Sequence, residues 1–101
     1  MTETTAFKIF TADQWQHFEA AGVFAGAPVD LADGYIHMST ARQLQGTLDK
    51  HFAGQTDLVI AEIDLSGFGD ALRWEVSRGD ALFPHLYGPL PYAAVIGVRH
   101  L

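Results

Sequence analysis

The chain has no cysteine, which excludes disulfides, thiolate metal ligands and a cysteine nucleophile. Basic residues are scarce: six Lys and Arg stand against twelve Asp and Glu, for a net charge of −6. General nucleic-acid binding relies on basic patches and is not expected of such a chain. No apolar run approaches the roughly 18 residues of a membrane span. The first ten residues, MTETTAFKIF, have neither the basic nor the apolar region of a secretory signal. A soluble, cytoplasmic protein without nucleic-acid or membrane partners is expected. No Gly-x-Gly-x-x-Gly follows a strand and there is no Walker-type loop, so a doubly wound nucleotide fold is not expected. His37, His85 and Glu75 are the residue types of a two-His-one-carboxylate set. No short spacing such as His-Glu-x-x-His supports one, and no metal is assigned.

What is present fits one domain over residues 1–101, with 49% hydrophobic residues for a core. Charge is uneven. Residues 1–70 hold three basic residues against ten acidic ones, whereas residues 71–101 hold Arg73, Arg78 and Arg99 against Glu75 and Asp80. The second part is the less acidic, and a small anion fits there.

Alternation predicts a strand over Ala6–Phe10. Thr11 and Gln14 then form a capping box, and a helix is expected over Ala12–Ala21 with Gly22 beyond its end. Val23–Ala32 has no clean period and reads as a loop marked by Gly26 and Pro28. A strand over Tyr35–Ser39 would place Tyr35, His37 and Ser39 on one face and Ile36 and Met38 on the other. That Tyr-x-His-x-Ser face suits the wall of a cleft. A half-buried structural histidine is the alternative. Thr40 and Gln43 repeat the capping box before a helix over Ala41–Phe52, whose stripe is Leu44, Leu48 and Phe52. The start of this helix could favour an anion, unless Thr40 itself satisfies the free amides.

Asp57–Leu65 is apolar on both faces and reads as a central strand. Leu72–Val76 alternates again, with Arg73 and Glu75 on one face, where they could pair. Ser77–Leu90 carries Gly79, Pro84, Gly88 and Pro89 among large aromatics and reads as an ordered, irregular segment. Such segments often carry binding residues. A last strand is expected over Ala93–Val98, with residues 99–101 free to fray. The order predicts an α+β domain: small mixed or antiparallel sheets with two helices around a cleft.

Four motifs resemble a bacterial family called domain of unknown function 952. They are Phe7-Lys-Ile-Phe-Thr11, Asp33-Gly-Tyr-Ile-His-Met-Ser-Thr40, Arg73-Trp-Glu-x-Ser-Arg-Gly79 and Phe83-Pro-His-Leu-Tyr-Gly-Pro89. The resemblance implies a compact relative of the ADP-ribosyltransferase fold, with two small sheets around a cleft. In that superfamily the cleft takes NAD, and a strand-borne His or Arg contacts its ADP-ribose half. His37 is the implied counterpart. The superfamily's later Tyr or Ser-Thr-Ser motif has no match in this chain, and Glu75 is a candidate acid by its chemistry alone.

The candidate catalytic residues are thus His37, Glu75 and His85. The candidate ligand contacts are Tyr35, Ser39, Thr40, Arg73, Trp74, Arg78 and Tyr87. Guanidinium groups match phosphate geometry, histidine titrates near neutrality, and Trp74 and Tyr87 can stack on a ring. The expected ligand is NAD-derived or otherwise phosphorylated, bound by a monomer or homodimer with transferase-like chemistry. The alternatives are a non-catalytic ligand-binding or sensor module using the same cleft, and a purely structural polar network.

Overall fold

The computed structural model describes residues 3–77 and 79–101. Arg78, a predicted ligand contact, lies outside them. Strand β1 (Thr5–Thr11) leads straight into helix α1 (Ala12–Ala21). Thr11 Oγ1 accepts from the Gln14 amide at 3.1 Å, and Gln14 Oε1 accepts from the Thr11 amide at 3.0 Å. The capping box therefore starts the helix where the sequence places it. Gly22 ends it with φ of 77°, a conformation that glycine adopts without strain. Trp15 and Phe18 of α1 are buried against Phe10 of β1, whose ring stacks on Phe18 at 5.3 Å.

Strand β2 (Val23–Phe24) and helix α2 (Pro28–Asp33) replace the loop expected over Val23–Ala32. There are thus three helices rather than two among the described residues. Six residues are too few for a hydrophobic period. Pro28 opens α2, a position where its missing N–H and fixed φ are no handicap. Strand β3 (Ile36–His37) is shorter than expected. Helix α3 (Ala41–His51) begins at Thr40 with its own capping box: Thr40 Oγ1 accepts from the Gln43 amide and Gln43 Oε1 from the Thr40 amide. Of the amides at this helix start, those of Thr40 and Gln43 are used by these side chains.

Strand β4 (Leu58–Asp64) is the centre of a three-stranded antiparallel sheet, flanked by β1 and by β8 (Val95–His100). Its two faces serve two cores. Val59, Ala61 and Ile63 pack with Phe10, Trp15 and Phe18. Leu58 and Ile60 pack with Ile9 and Leu44 beneath α3. Burying one such aliphatic side chain contributes about 1.5–3 kcal/mol. The pairing runs to the end of the chain: His100 pairs with Val59, and the Leu101 amide donates to Leu58 O at 2.9 Å.

Strands β5 (Leu72–Val76) and β6 (Leu82–Leu86) form a hairpin, and β6 also pairs with β3 in the order β3-β6-β5. The segment expected to be irregular is therefore, over Leu82–Leu86, the central strand of the second sheet. Pro84 concealed it, because proline is depleted from central strands. Its carbonyl still accepts from the Met38 amide at 3.1 Å. A third, two-stranded sheet joins β2 to β7 (Leu90–Pro91). All named strand pairs are antiparallel, which makes the class α+β. No helix among the described residues is long and apolar enough to cross a membrane.

Candidate functional site

The first two sheets touch at one isolated bridge. Phe7 donates to Ser39 O at 2.7 Å, and Ser39 donates back to Phe7 O at 2.9 Å. Past this point β1 and β3 diverge. A cavity of about 610 Å³ opens between Ile9 and Thr11 of β1, the start of α2, the second half of α3, and the β3 and β6 strands. His37 and Ser39 line it. His85 lines it too.

One side of the cavity is held by an ionic network that sequence reading did not assemble. Lys8 Nζ lies 3.0 Å from Asp30 Oδ2 and donates to His37 O at 2.9 Å. Asp30, 1% exposed, also accepts from the amides of Ala27 and His37. His37 Nδ1 lies 2.6 Å from Asp30 Oδ1, and its Nε2 lies 2.9 Å from Asp33 Oδ2. Ionised carboxylates only accept, so a ring protonated on both nitrogens satisfies both contacts. Burial pushes the Asp30 carboxyl up, but the His37 ring, the Lys8 charge and the two amides outweigh it. The result is a pKa held down to about 2. Burial pushes the Lys8 ammonium below its ordinary value, against the attraction of Asp30. Gly26 is also fixed here: its φ is 136°, and an added Cβ would come within 2.9 Å of Asp30 Cβ.

His37 and His85 also belong to a row across the second sheet, and the residues in and beside that row, Tyr35, Arg73, Glu75 and Tyr87, stand behind the cavity lining. Register sets His37 opposite His85, and His85 opposite Arg73. Glu75 and Tyr87 sit one alternation away on either side of that row. Glu75 Oε1 lies 2.9 Å from His85 Nδ1 and accepts from the Tyr87 hydroxyl at 2.7 Å. These two hydrogen bonds, the His85 one first, hold the Glu75 carboxyl below the ordinary range. The bond to Glu75 raises the Tyr87 phenol in turn, helped by burial. In a neutral His85 ring, the proton on Nδ1 goes to Glu75 and leaves Nε2 as an acceptor. Nε2 has no partner although the residue is 2% exposed. Among the described residues it is the one buried side-chain polar atom left unsatisfied.

Tyr35 joins the two groups. Its ring stacks on Tyr87 at 5.1 Å, meets His85 edge-on at 4.1 Å, and lies 4.6 Å from His37. Arg73 covers the outer side of Tyr87, with its guanidinium 4.5 Å from the ring centre. The Arg73–Glu75 pairing expected within one strand is thus replaced by a different arrangement: Glu75 serves His85 and Tyr87, and Arg73 stacks. The reason is cross-strand reach, which brings β6 side chains closer than the i, i+2 neighbour.

The structure therefore brings together Tyr35, His37, Arg73, Glu75, His85 and Tyr87. Ser39 is nearby but bonded to Thr47 Oγ1 at 2.8 Å. Thr40 is buried and occupied as a helix cap. Trp74 points the other way, half-buried against the main core with Leu72. Lys8, Asp30 and Asp33 were missed. A signal existed for Asp30, which stands third in a helix opened by proline, where a carboxylate reaches back to the preceding amide. Nothing local signalled Lys8. Among the described residues no three His, Asp or Glu side chains are grouped to hold a metal ion.

Comparison with known proteins places the chain and its fold. The family model described as "Protein of unknown function (DUF952)" matches residues 9–98. The crystal structure of protein CC0527 from Caulobacter crescentus is 44% identical and superposes with a TM-score of 0.93, over 97% of this chain and 86% of that one. The solution NMR structure of CC0527 gives 43% identity and a TM-score of 0.86, over 98% and 85% of the two chains. No curated protein matches the chain. A family model covering residues 9–98 and a solved relative of the same fold at this identity lead to one conclusion: the chain belongs to the DUF952 family.

Proposed function

We propose that the cavity between the two sheets is a small-ligand site, that its ligand is NAD-derived or otherwise phosphorylated, and that Glu75 and His85 form its acid–base pair. The observation that carries this reading is His85 Nε2, a buried ring nitrogen without a partner in a residue that lines the cavity. Buried polar atoms are nearly always satisfied, and a ligand O–H or N–H would satisfy this one. Glu75 orients the ring and would stabilise its charged form once Nε2 takes up a proton, which is the arrangement of a general base. His37 has a different part in this proposal. Both of its ring nitrogens face carboxylates, so it shapes the wall rather than moving protons.

The class of ligand comes from the family's resemblance to compact ADP-ribosyltransferase folds. Two small sheets parting around a cleft are the arrangement that resemblance leads one to expect. Arg73, stacked on Tyr87 beside the cluster, would meet a phosphate leaving the cavity mouth. We place the protein in the cytoplasm as a monomer or homodimer with a small-molecule partner. A non-catalytic binding module is the second reading, favoured by the fixed, doubly bonded state of His37.

The test is thermal unfolding with NAD, ADP-ribose or buffer. A ligand at about one hundred times its Kd stabilises by about 2.7 kcal/mol, several degrees for a domain near this length. The rise should appear with ADP-ribose and be lost in His85→Phe, which fills the space without an acceptor. Equal rises in the variant and the parent would refute the role given to His85.

A further inference from the structure

A second unsatisfied feature faces the same cavity, and it belongs to the backbone. In β1, Phe7 turns its N–H and C=O away from β4 to bond Ser39. Polar groups alternate along an antiparallel strand. Ile9, two residues on and opposite Ile60, must therefore turn its N–H and C=O the same way. Ile60 confirms the phase from its other side: Leu58 accepts from the Leu101 amide just past β8, so Ile60 likewise faces β8 and not β1. Thr11, the next outward residue, gives its N–H to Gln14. Ile9 has no such partner among the described residues, and it lines the cavity. The facing edge of β3 is already closed, because the His37 amide binds Asp30 and its carbonyl binds Lys8.

A donor and an acceptor on one strand residue demand a matching acceptor and donor from the ligand. A single trans amide cannot supply both, because its N–H and C=O point in opposite directions. Two amides in series, separated by one or two carbons, can. They would lie beside β1 at about the 4.8 Å spacing of a neighbouring strand. We infer that the cavity binds its ligand through an extended arm carrying two amides in series, paired with the N–H and C=O of Ile9. Such an arm occurs in short peptides and in phosphopantetheine-type groups. The inference rests on the cavity being a ligand site and selects, within the phosphorylated class proposed above, a ligand with such an arm, which NAD and ADP-ribose lack; those two probe the nucleotide part of the site alone.

The experiment is amide NMR of the full chain with 4′-phosphopantetheine, glutathione, ADP-ribose and ADP in turn. The two amide-bearing probes separate the two sources of the arm. At least one should shift the Ile9 amide proton saturably and slow its exchange by about tenfold or more. N-methylation of that probe's amides should abolish the effect, and ADP should leave Ile9 unchanged. If an amide probe shifts the His85 and Ser39 signals but not Ile9, the inference is wrong. If ADP-ribose alone shifts the lining residues, the inference fails and the ligand site stands. If no probe shifts any lining residue, both fail.

Discussion

Glu75 and His85 stand on adjacent strands, two positions out of register, and a 2.9 Å contact joins Oε1 of one to Nδ1 of the other. That diagonal decides which ring nitrogen remains for the cavity. A glutamate directly opposite His85 would have left no place for Arg73, which occupies that position and shields Tyr87.

Glu75→Gln tests the diagonal. The amide keeps the size of the carboxylate but can present N–H to Nδ1, which removes the preference for a proton there. The variant should fold, and its stabilisation by ADP-ribose should fall well below that of the parent. Tyr87→Phe removes only the hydroxyl that donates to Glu75 and should retain most of the effect. Thermal unfolding of the three proteins with and without ligand checks this. Undiminished stabilisation of Glu75→Gln would leave the pair without a part in binding.

Acid should unfold the protein through Asp30. Its carboxyl ionises near 2 in the folded chain, against an ordinary 3.8. The stabilisation is complete above the ordinary value and is lost as pH falls through the folded one, that is from about pH 4 to about pH 2. At about 1.4 kcal/mol per pKa unit the loss is about 2 kcal/mol. Denaturant titrations across this range should show the fall in the parent and a shallower one in Asp30→Asn.

The parts of this account that the sequence reveals are the local ones. Thr11 with Gln14, and Thr40 with Gln43, mark helix starts because a cap acts within four residues. Leu58–Asp64 announces a central strand because both of its faces are apolar. The residues of the candidate site are also singled out in part, His37 and Glu75 on expected strands and His85 and Tyr87 in a segment crowded with aromatics and read as irregular. Their pairing is not. Lys8 and Asp30 are 22 residues apart and meet only where α2 packs beside β1, and Glu75 and His85 are ten apart and meet only through the register of β5 with β6. Pro84 misleads for a physical reason. Proline opposes central strands in general, and β6 keeps its place through the carbonyl bonded to Met38.

Lys8→Met should be strongly destabilising. The methionine fills the space but leaves the buried Asp30 without its ammonium partner. Breaking a buried pair from one side costs about 3–5 kcal/mol. Asp30 keeps its amide and His37 contacts, so the lower part of that range is expected from chemical denaturation. An unchanged midpoint would mean that the Lys8–Asp30 pair does not hold α2 to β1.

The most direct measurement is the ring-nitrogen NMR spectrum of His85 in the free protein and during titration with ADP-ribose. The account predicts a proton on Nδ1, an acceptor-type Nε2 in the free protein, and a saturable shift of Nε2 as ligand binds. A proton on Nε2 in the free protein, or a saturated complex in which the Nε2 signal has not moved, would contradict it.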